Sequence, residues 1–234
     1  VEDHLGCRLD DPDALLAATL LVRLLQRRFH READTVYGGL IGRSENRELV
    51  RALRLDLLHV RSIELSRYQR FALVDAQPKT GNHQLPASVV PTVVIDHHPL
   101  RKATQASPFV DVRPAYGATA TLLAEYLEAA GLELTHALAT GLVYAIRSET
   151  RDFGREFAPS DKQVHDVALG LASKTLLARI QNAKQPLAYF KNLHQALENL
   201  EAVDTLVVSH LGRVEQPDIV PELADLLLRM EGKT

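Results

Sequence analysis

The chain has 234 residues, of which 46% are hydrophobic and 24% charged, with a formal net charge of −3 and an isoelectric point near 6.4. That composition fits an ordinary globular chain of one or two domains and excludes a disordered, collagenous or coiled-coil polymer. The charge leaves no basic face for non-specific binding to long duplex DNA, though it permits a small anionic substrate held by metal.

A single cysteine excludes an intramolecular disulfide and a Cys-built zinc finger. Apolar runs such as residues 15–22 fall far short of the ~20 residues that a membrane span needs, so no membrane partner is expected. Glu2 and Asp3 are acidic where a signal peptide would be basic, so a cytoplasmic setting is expected.

In chain order, residues 15–29 read as a helix that starts at Asp11-Pro12-Asp13, where Asp11 can cap and Pro12 suits the first helical position. Residues 35–37 form a short strand ended by Gly38-Gly39. Residues 45–53 form a helix with Leu49, Val50 and Leu53 on one face. Residues 3–8 lack the apolar strand that would be expected to open such a fold, so the first strand is expected to be altered or missing.

Residues 71–74 and 92–95 are buried strands that end in Asp75 and Asp96, and residues 109–112 are an edge strand. A helix over 118–130 is closed by Gly131. Residues 138–146 are apolar almost all round and form a core helix. Residues 160–163 read as a capping box that opens a helix over 164–171. A helix at 187–200, a strand at 204–209 and a helix over 217–230 follow. Strands alternating with helices imply an α/β fold with a mostly parallel sheet and helices on both faces. The composition shift near residue 200 predicts a domain over 1–200 and the first elements of a second, smaller one over 201–234.

Asp11, Asp13, Asp75 and Asp96 fall at strand ends or just before a helix. In an open parallel sheet these positions share one edge, where sites form. Carboxylates gathered there repel unless something positive holds them, and a divalent metal pair would do so. The tripeptide Asp96-His97-His98 adds two imidazoles. The constellation reads as a two-metal hydrolase that activates water for attack on phosphorus. Each residue also has a plainer role: helix capping for Asp11 and Asp13, strand-end turns for Asp75 and Asp96, structural burial for His97 and His98.

The run at 93–99, Val-Val-Ile-Asp-His-His-Pro, resembles the signature of the DHH phosphoesterases, the superfamily of RecJ, the family II pyrophosphatases and the nanoRNA and pAp hydrolases. Three further blocks match in order. Leu-Asp-Asp-Pro-Asp-Ala at 9–14 is similar to the first motif, Ala-Leu-Val-Asp-Ala-Gln-Pro at 72–78 to the second, and Arg-Ser-Glu-Thr-Arg-Asp at 147–152 to the fourth. The resemblance covers residues 7–200, and Val-Val-Ser-His-Leu-Gly at 207–212 resembles the start of the associated C-terminal substrate domain, whose Gly-Gly-x-Gly-His segment is not present.

By resemblance, Asp11 binds one metal and Asp13 the other, Asp75 bridges them and His97 completes the second. His98 faces the substrate phosphate, and Asp96 orients the histidines. Two manganese ions are the implied cofactor, with magnesium or cobalt compatible. The first motif normally carries a histidine where this chain has Cys7, with His4 three residues too early. Either Cys7 is the ligand, which favours zinc, or His4 reaches in through a distorted segment, or one metal site is weakened; the plainer role of Cys7 is a small buried hydrophobe. The fourth motif's aspartate is Glu149, which keeps the charge and moves it by one methylene. Arg113 and Arg147 are phosphate contacts by position, with surface ion pairing as their other role. The segment at 117–121 opens a helix whose amides, beginning with Gly117, either face an anion or simply start the helix.

The expected activity is metal-dependent hydrolysis of short oligonucleotides or phosphorylated nucleotides, of the nanoRNA and pAp hydrolase type. A pyrophosphatase or exopolyphosphatase, a cyclic-dinucleotide phosphodiesterase and a nucleotide-sensing domain with a degraded metal site are the alternatives. With 5% aromatic residues, long single strands are not expected substrates. A homodimer through the tail is expected.

Overall fold

A computed structural model describes residues 11–39, 41–215 and 217–232, and the backbone alone of residues 2–8. Six strands form one sheet: β1 (Glu2–Arg8), β2 (Ala33–Gly38), β3 (Leu57–His59), β4 (Tyr68–Val74), β5 (Val93–Asp96) and β6 (Phe109–Val112). Their spatial order is β3-β2-β1-β4-β5-β6, and every pairing is parallel. This is the α/β architecture that the alternation of strands and helices predicts.

The missing first strand is a correction. Residues 2–8 are a full strand, paired to both β2 and β4 at the centre of the sheet. A central strand is held by ladder hydrogen bonds along both edges, so a segment with few apolar residues can still occupy it.

The helices are α1 (Pro12–Phe29), α2 (Ser44–Leu53), α3 (Thr119–Ala129), α4 (His136–Glu149), α5 (Pro159–Leu171), α6 (Lys174–Gln181), α7 (Leu187–Glu198) and α8 (Ile219–Leu227). The main core lies between one face of β4 and β5 and the helices α1, α3 and α4, with Leu16, Leu20, Val74, Ile95, Leu123 and Leu142 buried together. A second cluster ties Leu15 and Ala18 of α1 to Leu49 of α2 and Ile180 of α6. Side chains alternate across a strand, so Leu73 and Val94 point to the other face, where Ala76 and Leu85 cover them.

Helix starts follow the expected chemistry in part. Asp11 caps α1, its Oδ1 accepting the Asp13 amide at 2.9 Å. The cap of α5 lies earlier than the box at 160–163 implies. Ala158 is the N-cap, Pro159 the first helical residue, and Asp161 reaches back to accept the Ala158 amide at 2.7 Å. Proline fits the first helical position because it has no amide hydrogen to leave unpaired.

Beyond α7, β7 (Leu200–Val203) and β8 (Leu206–Ser209) form an antiparallel hairpin. Ala196 of α7 packs with Ile219 and Leu223 of α8 in a small cluster of its own. The boundary expected at 200/201 falls inside β7. No helix among the described residues is long and apolar enough to cross a membrane.

Candidate metal centre

The strand order reverses direction between β1 and β4, and the crevice outside the carboxyl ends of strands at such a reversal is where open parallel sheets bind ligands. Asp11 and Asp13 follow β1, Asp75 follows β4, and Asp96, His97 and His98 close β5. Asp75 sits in a left-handed conformation, φ 56°, which ends β4, and its amide donates to the Ile95 carbonyl at 3.0 Å. Aspartate tolerates that conformation better than most residues.

Asp75 is 1% exposed. Its Oδ1 accepts the Thr119 hydroxyl at 2.9 Å and lies 3.5 Å from His97 Nε2 and 3.6 Å from His98 Nδ1. Its Oδ2 is buried and has no hydrogen-bond partner among the described residues. His97 Nδ1 lies 3.1 Å from the Tyr116 carbonyl, an acceptor, so that nitrogen carries the proton and Nε2 presents a lone pair. Nε2 is buried and lacks a hydrogen-bond partner too, with Glu149 Oε1 3.9 Å away.

Two buried ligand atoms without a hydrogen-bond partner among the described residues, on side chains that approach within 3.5 Å, are what a metal would satisfy. Ligand atoms of Asp75, His97 and His98 all lie within 4.8 Å of one another. A carboxylate oxygen and a neutral imidazole nitrogen backed by a carbonyl suit manganese, magnesium, cobalt or zinc. The residues present fit a divalent cation.

Charge supports the same fit. Burial, and then repulsion from Asp13, Asp11 and Asp96, pushes the Asp75 carboxyl well above its ordinary range. Burial, and then Asp11 and Glu149, does the same to Asp13, against the pull of two backbone amides. Burial and the neighbouring His98 hold His97 below the usual imidazole value, which keeps it neutral and ligand-ready.

Asp96 behaves differently. Burial raises its carboxyl, but hydrogen bonds from His98 and Gln77 outweigh this and hold it below the ordinary value. Its Oδ1 accepts the His98 amide at 3.1 Å and His98 Nδ1 at 2.8 Å, and that hydrogen bond raises the His98 imidazole. His98 is half-exposed.

The remaining candidates divide. Asp13 is fully buried, and its two oxygens accept the amides of Thr119 and Ala120 at 2.7 Å each, at the first turn of α3. These amides at the start of α3 are thus engaged by the Asp13 side chain. The Gly117 amide donates to Asp161 Oδ2 at 2.7 Å, so it is not open to a ligand. A Cβ there would lie 2.7 Å from Thr150 Cγ2, which requires glycine for packing. Arg113 is held by Asp111 at 2.8 and 2.9 Å, by Glu125 at 2.9 Å and by the Tyr116 hydroxyl at 3.2 Å, with every guanidinium nitrogen engaged. Arg147 pairs with Asp152. The side chains of Cys7 and His4 lie outside the described residues.

Three residues that sequence reasoning did not single out organise the site. Thr119 joins Asp13, through its amide, to Asp75, through its hydroxyl. Gln77 is buried and donates to Asp96 Oδ2 at 2.7 Å and the Pro99 carbonyl at 3.2 Å, while its Oε1 accepts from Arg101 N and Thr104 Oγ1. Asp161 accepts from Gly117, Thr121 and Ala158, fixing the start of α3 to α5. The sequence signal for Gln77 is its place in the block at 72–78, two residues after Asp75.

Comparison with known proteins bears on the fold. No protein-family profile matches the chain. It is 33% identical over 224 residues to the uncharacterized protein MJ1633 of Methanocaldococcus jannaschii, covering 95% of this chain and 46% of that one. The chain thus spans about half the length of the curated relative it matches. Among solved structures, an exopolyphosphatase-related protein from Bacteroides fragilis superposes with a TM-score of 0.72 over 99% of this chain and 73% of its own, at 12% identity. At that identity the fold is what the two share.

Proposed function

We propose that the chain is the catalytic part of a divalent-metal-dependent hydrolase of phosphoric esters or anhydrides. The observation that carries the reading is the Asp75–His97–His98 group, in which the buried atoms Asp75 Oδ2 and His97 Nε2 have no hydrogen-bond partner among the described residues. Manganese is the proposed ion, with magnesium or cobalt in its place. The name of the Bacteroides fragilis neighbour favours the phosphoanhydride alternative over short oligonucleotides or phosphorylated nucleotides.

Asp75, His97, Asp11, Asp13 and Glu149 would hold the ions. When bound, such ions supply Lewis acidity and activation of water at neutral pH. The protein's own contribution is positional. Thr119 and the α3 amides fix the two buried carboxylates, and the Tyr116 carbonyl sets the His97 tautomer. Asp96 holds His98 Nδ1, so Nε2 of His98 binds a phosphoryl oxygen and donates its proton to it. The tail from residue 201 is proposed as the first part of a substrate-gripping unit.

The test is phosphate or nucleotide release from pyrophosphate, tripolyphosphate, pAp and a dinucleotide, with manganese, magnesium or EDTA. Release that needs the cation supports the proposal. Nucleotide binding without turnover under every cation would replace it with the sensing-domain alternative.

Glu149→Asp is a second check. Its carboxylate already reaches to 3.9 Å from His97 Nε2, and a shorter side chain withdraws it. Manganese affinity should fall by roughly tenfold or more, the usual scale for disturbing a metal's surroundings. Unchanged or tighter binding in a calorimetric titration would remove Glu149 from the site.

A further inference from the structure

The cleft continues past the carboxylates. A polar cavity of about 250 Å³ is lined by Asp11 and Glu149, proposed above as metal ligands, by Arg43, Arg151 and Arg155, and by Asp218 and Asp225 at the start of and within α8. With Asp11 and Glu149 neutralised by the cations they would hold, three guanidinium groups face the two carboxylates of Asp218 and Asp225, which suits a ligand that carries negative charge beyond the group held at the metals. Arginine's planar fork matches phosphate oxygens in pairs.

The backbone that delivers two of these arginines is unusual. Arg151, Asp152 and Phe153 are all left-handed, at φ 48°, 55° and 64°, and follow Glu149 after the single residue Thr150. Side chains other than glycine disfavour that conformation, and its persistence requires outside support. Support comes from the Phe153 ring, 5.0 Å from Phe157 and 5.1 Å from His165, and from the Phe153 amide, which donates to Thr150 Oγ1 at 3.1 Å. The turn thus keeps Arg151 and Arg155 on the rim that carries Glu149.

Among the described residues neither Arg151 nor Arg155 has an ion-pair partner, in contrast to Arg113 and Arg147. Arg43 Nη2 lies 3.7 Å from Asp225 Oδ2. No aromatic ring is among the described residues lining the cavity, so a nucleobase finds nothing to stack on.

We infer that this cavity is a phosphate subsite, in which Arg43, Arg151 and Arg155 grip the phosphate next to the one under attack. The substrate class is then a chain of phosphates, and a bound phosphate takes the place of Asp225 on Arg43. This rests on the metal-centre reading of Asp75 and His97.

The experiment compares tripolyphosphate with p-nitrophenyl phosphate, which has no second phosphate, under saturating manganese. In the double variant Arg151→Gln/Arg155→Gln, KM for tripolyphosphate should rise by roughly tenfold or more, the scale of lost charge-assisted hydrogen bonds, with kcat nearly unchanged. KM for p-nitrophenyl phosphate and manganese affinity should not move. Asp225→Asn, which frees Arg43, should lower KM for tripolyphosphate. Equal effects on both substrates, or none, would overturn the subsite. If no hydrolysis is found with either substrate, calorimetric binding of tripolyphosphate to the magnesium-loaded protein decides. Weaker binding by the double variant upholds the subsite while the hydrolase proposal falls, and equal binding overturns the subsite.

Discussion

Asp75→Asn is expected to lower metal-dependent hydrolysis by at least ~10³, which corresponds to about 4 kcal/mol of barrier. The same substitution is expected to make the metal-free chain more stable. Both effects follow from one placement. The carboxylate is almost fully buried, its Oδ2 lacks a hydrogen-bond partner, and Asp13, Asp11 and Asp96 repel its charge. An amide of the same shape removes that repulsion and the anionic ligand together. A gain of about 1 kcal/mol would raise the melting temperature by roughly 2–4 °C in a chain of this size. Calorimetry in EDTA and initial rates in manganese check the two halves. A variant that is less stable without metal, or that keeps its activity, would mean that Asp75 is a structural turn residue.

The second large effect is an inversion of the pH dependence of stability by metal. The carboxyls of Asp13 and Asp75 are raised well above the ordinary aspartate value of 3.8, mainly by burial. Their contribution to stability is fully present below that value and is lost as pH rises through the raised, folded-state values. His98, raised above 6.5 by Asp96, adds to the loss at higher pH. His97, lowered by burial, acts the other way, its contribution being lost as pH falls through its folded value. Asp96 is lowered, so its contribution disappears only below 3.8, outside this range.

The metal-free melting temperature should therefore fall as pH rises from about 4 toward 8. With manganese it should rise over the same range, because ligation requires the deprotonated carboxylates. At a hundred times the dissociation constant, one bound ion contributes ~2.7 kcal/mol. Parallel curves with and without manganese would contradict the account.

The parts of this molecule that were legible in its sequence share a physical reason. Asp75 and Asp96 each end a run of four residues that must be buried, and a parallel sheet puts all such ends at one edge. Asp11 could be read as the cap of α1 because Pro12 follows it. The segments that escaped notice are short or lack an apolar pattern: β3 has three residues, and α6 has eight. β1 was misjudged because a central strand depends on partners that a local window does not contain.

The same limit applies at the site. Thr119 meets Asp13 from 106 residues away, and Asp161 meets Gly117 from 44. Gln77 binds groups 19 to 27 residues off. Buried polar residues are chosen by their partners, and the sequence shows a partner only once the fold has brought it near. Arg151 and Arg155 depend in the same way on the left-handed turn at 151–153, none of whose three residues is a glycine.

Diffraction from crystals grown with manganese, recorded at the manganese absorption edge, tests the central claim most directly. Two anomalous peaks roughly 3.5–4 Å apart, with the Asp75 carboxylate touching both and His97 Nε2 touching one, are the result expected of a two-metal centre. Manganese peaks that leave Asp75 and His97 untouched, or no peak in this cleft, would contradict it.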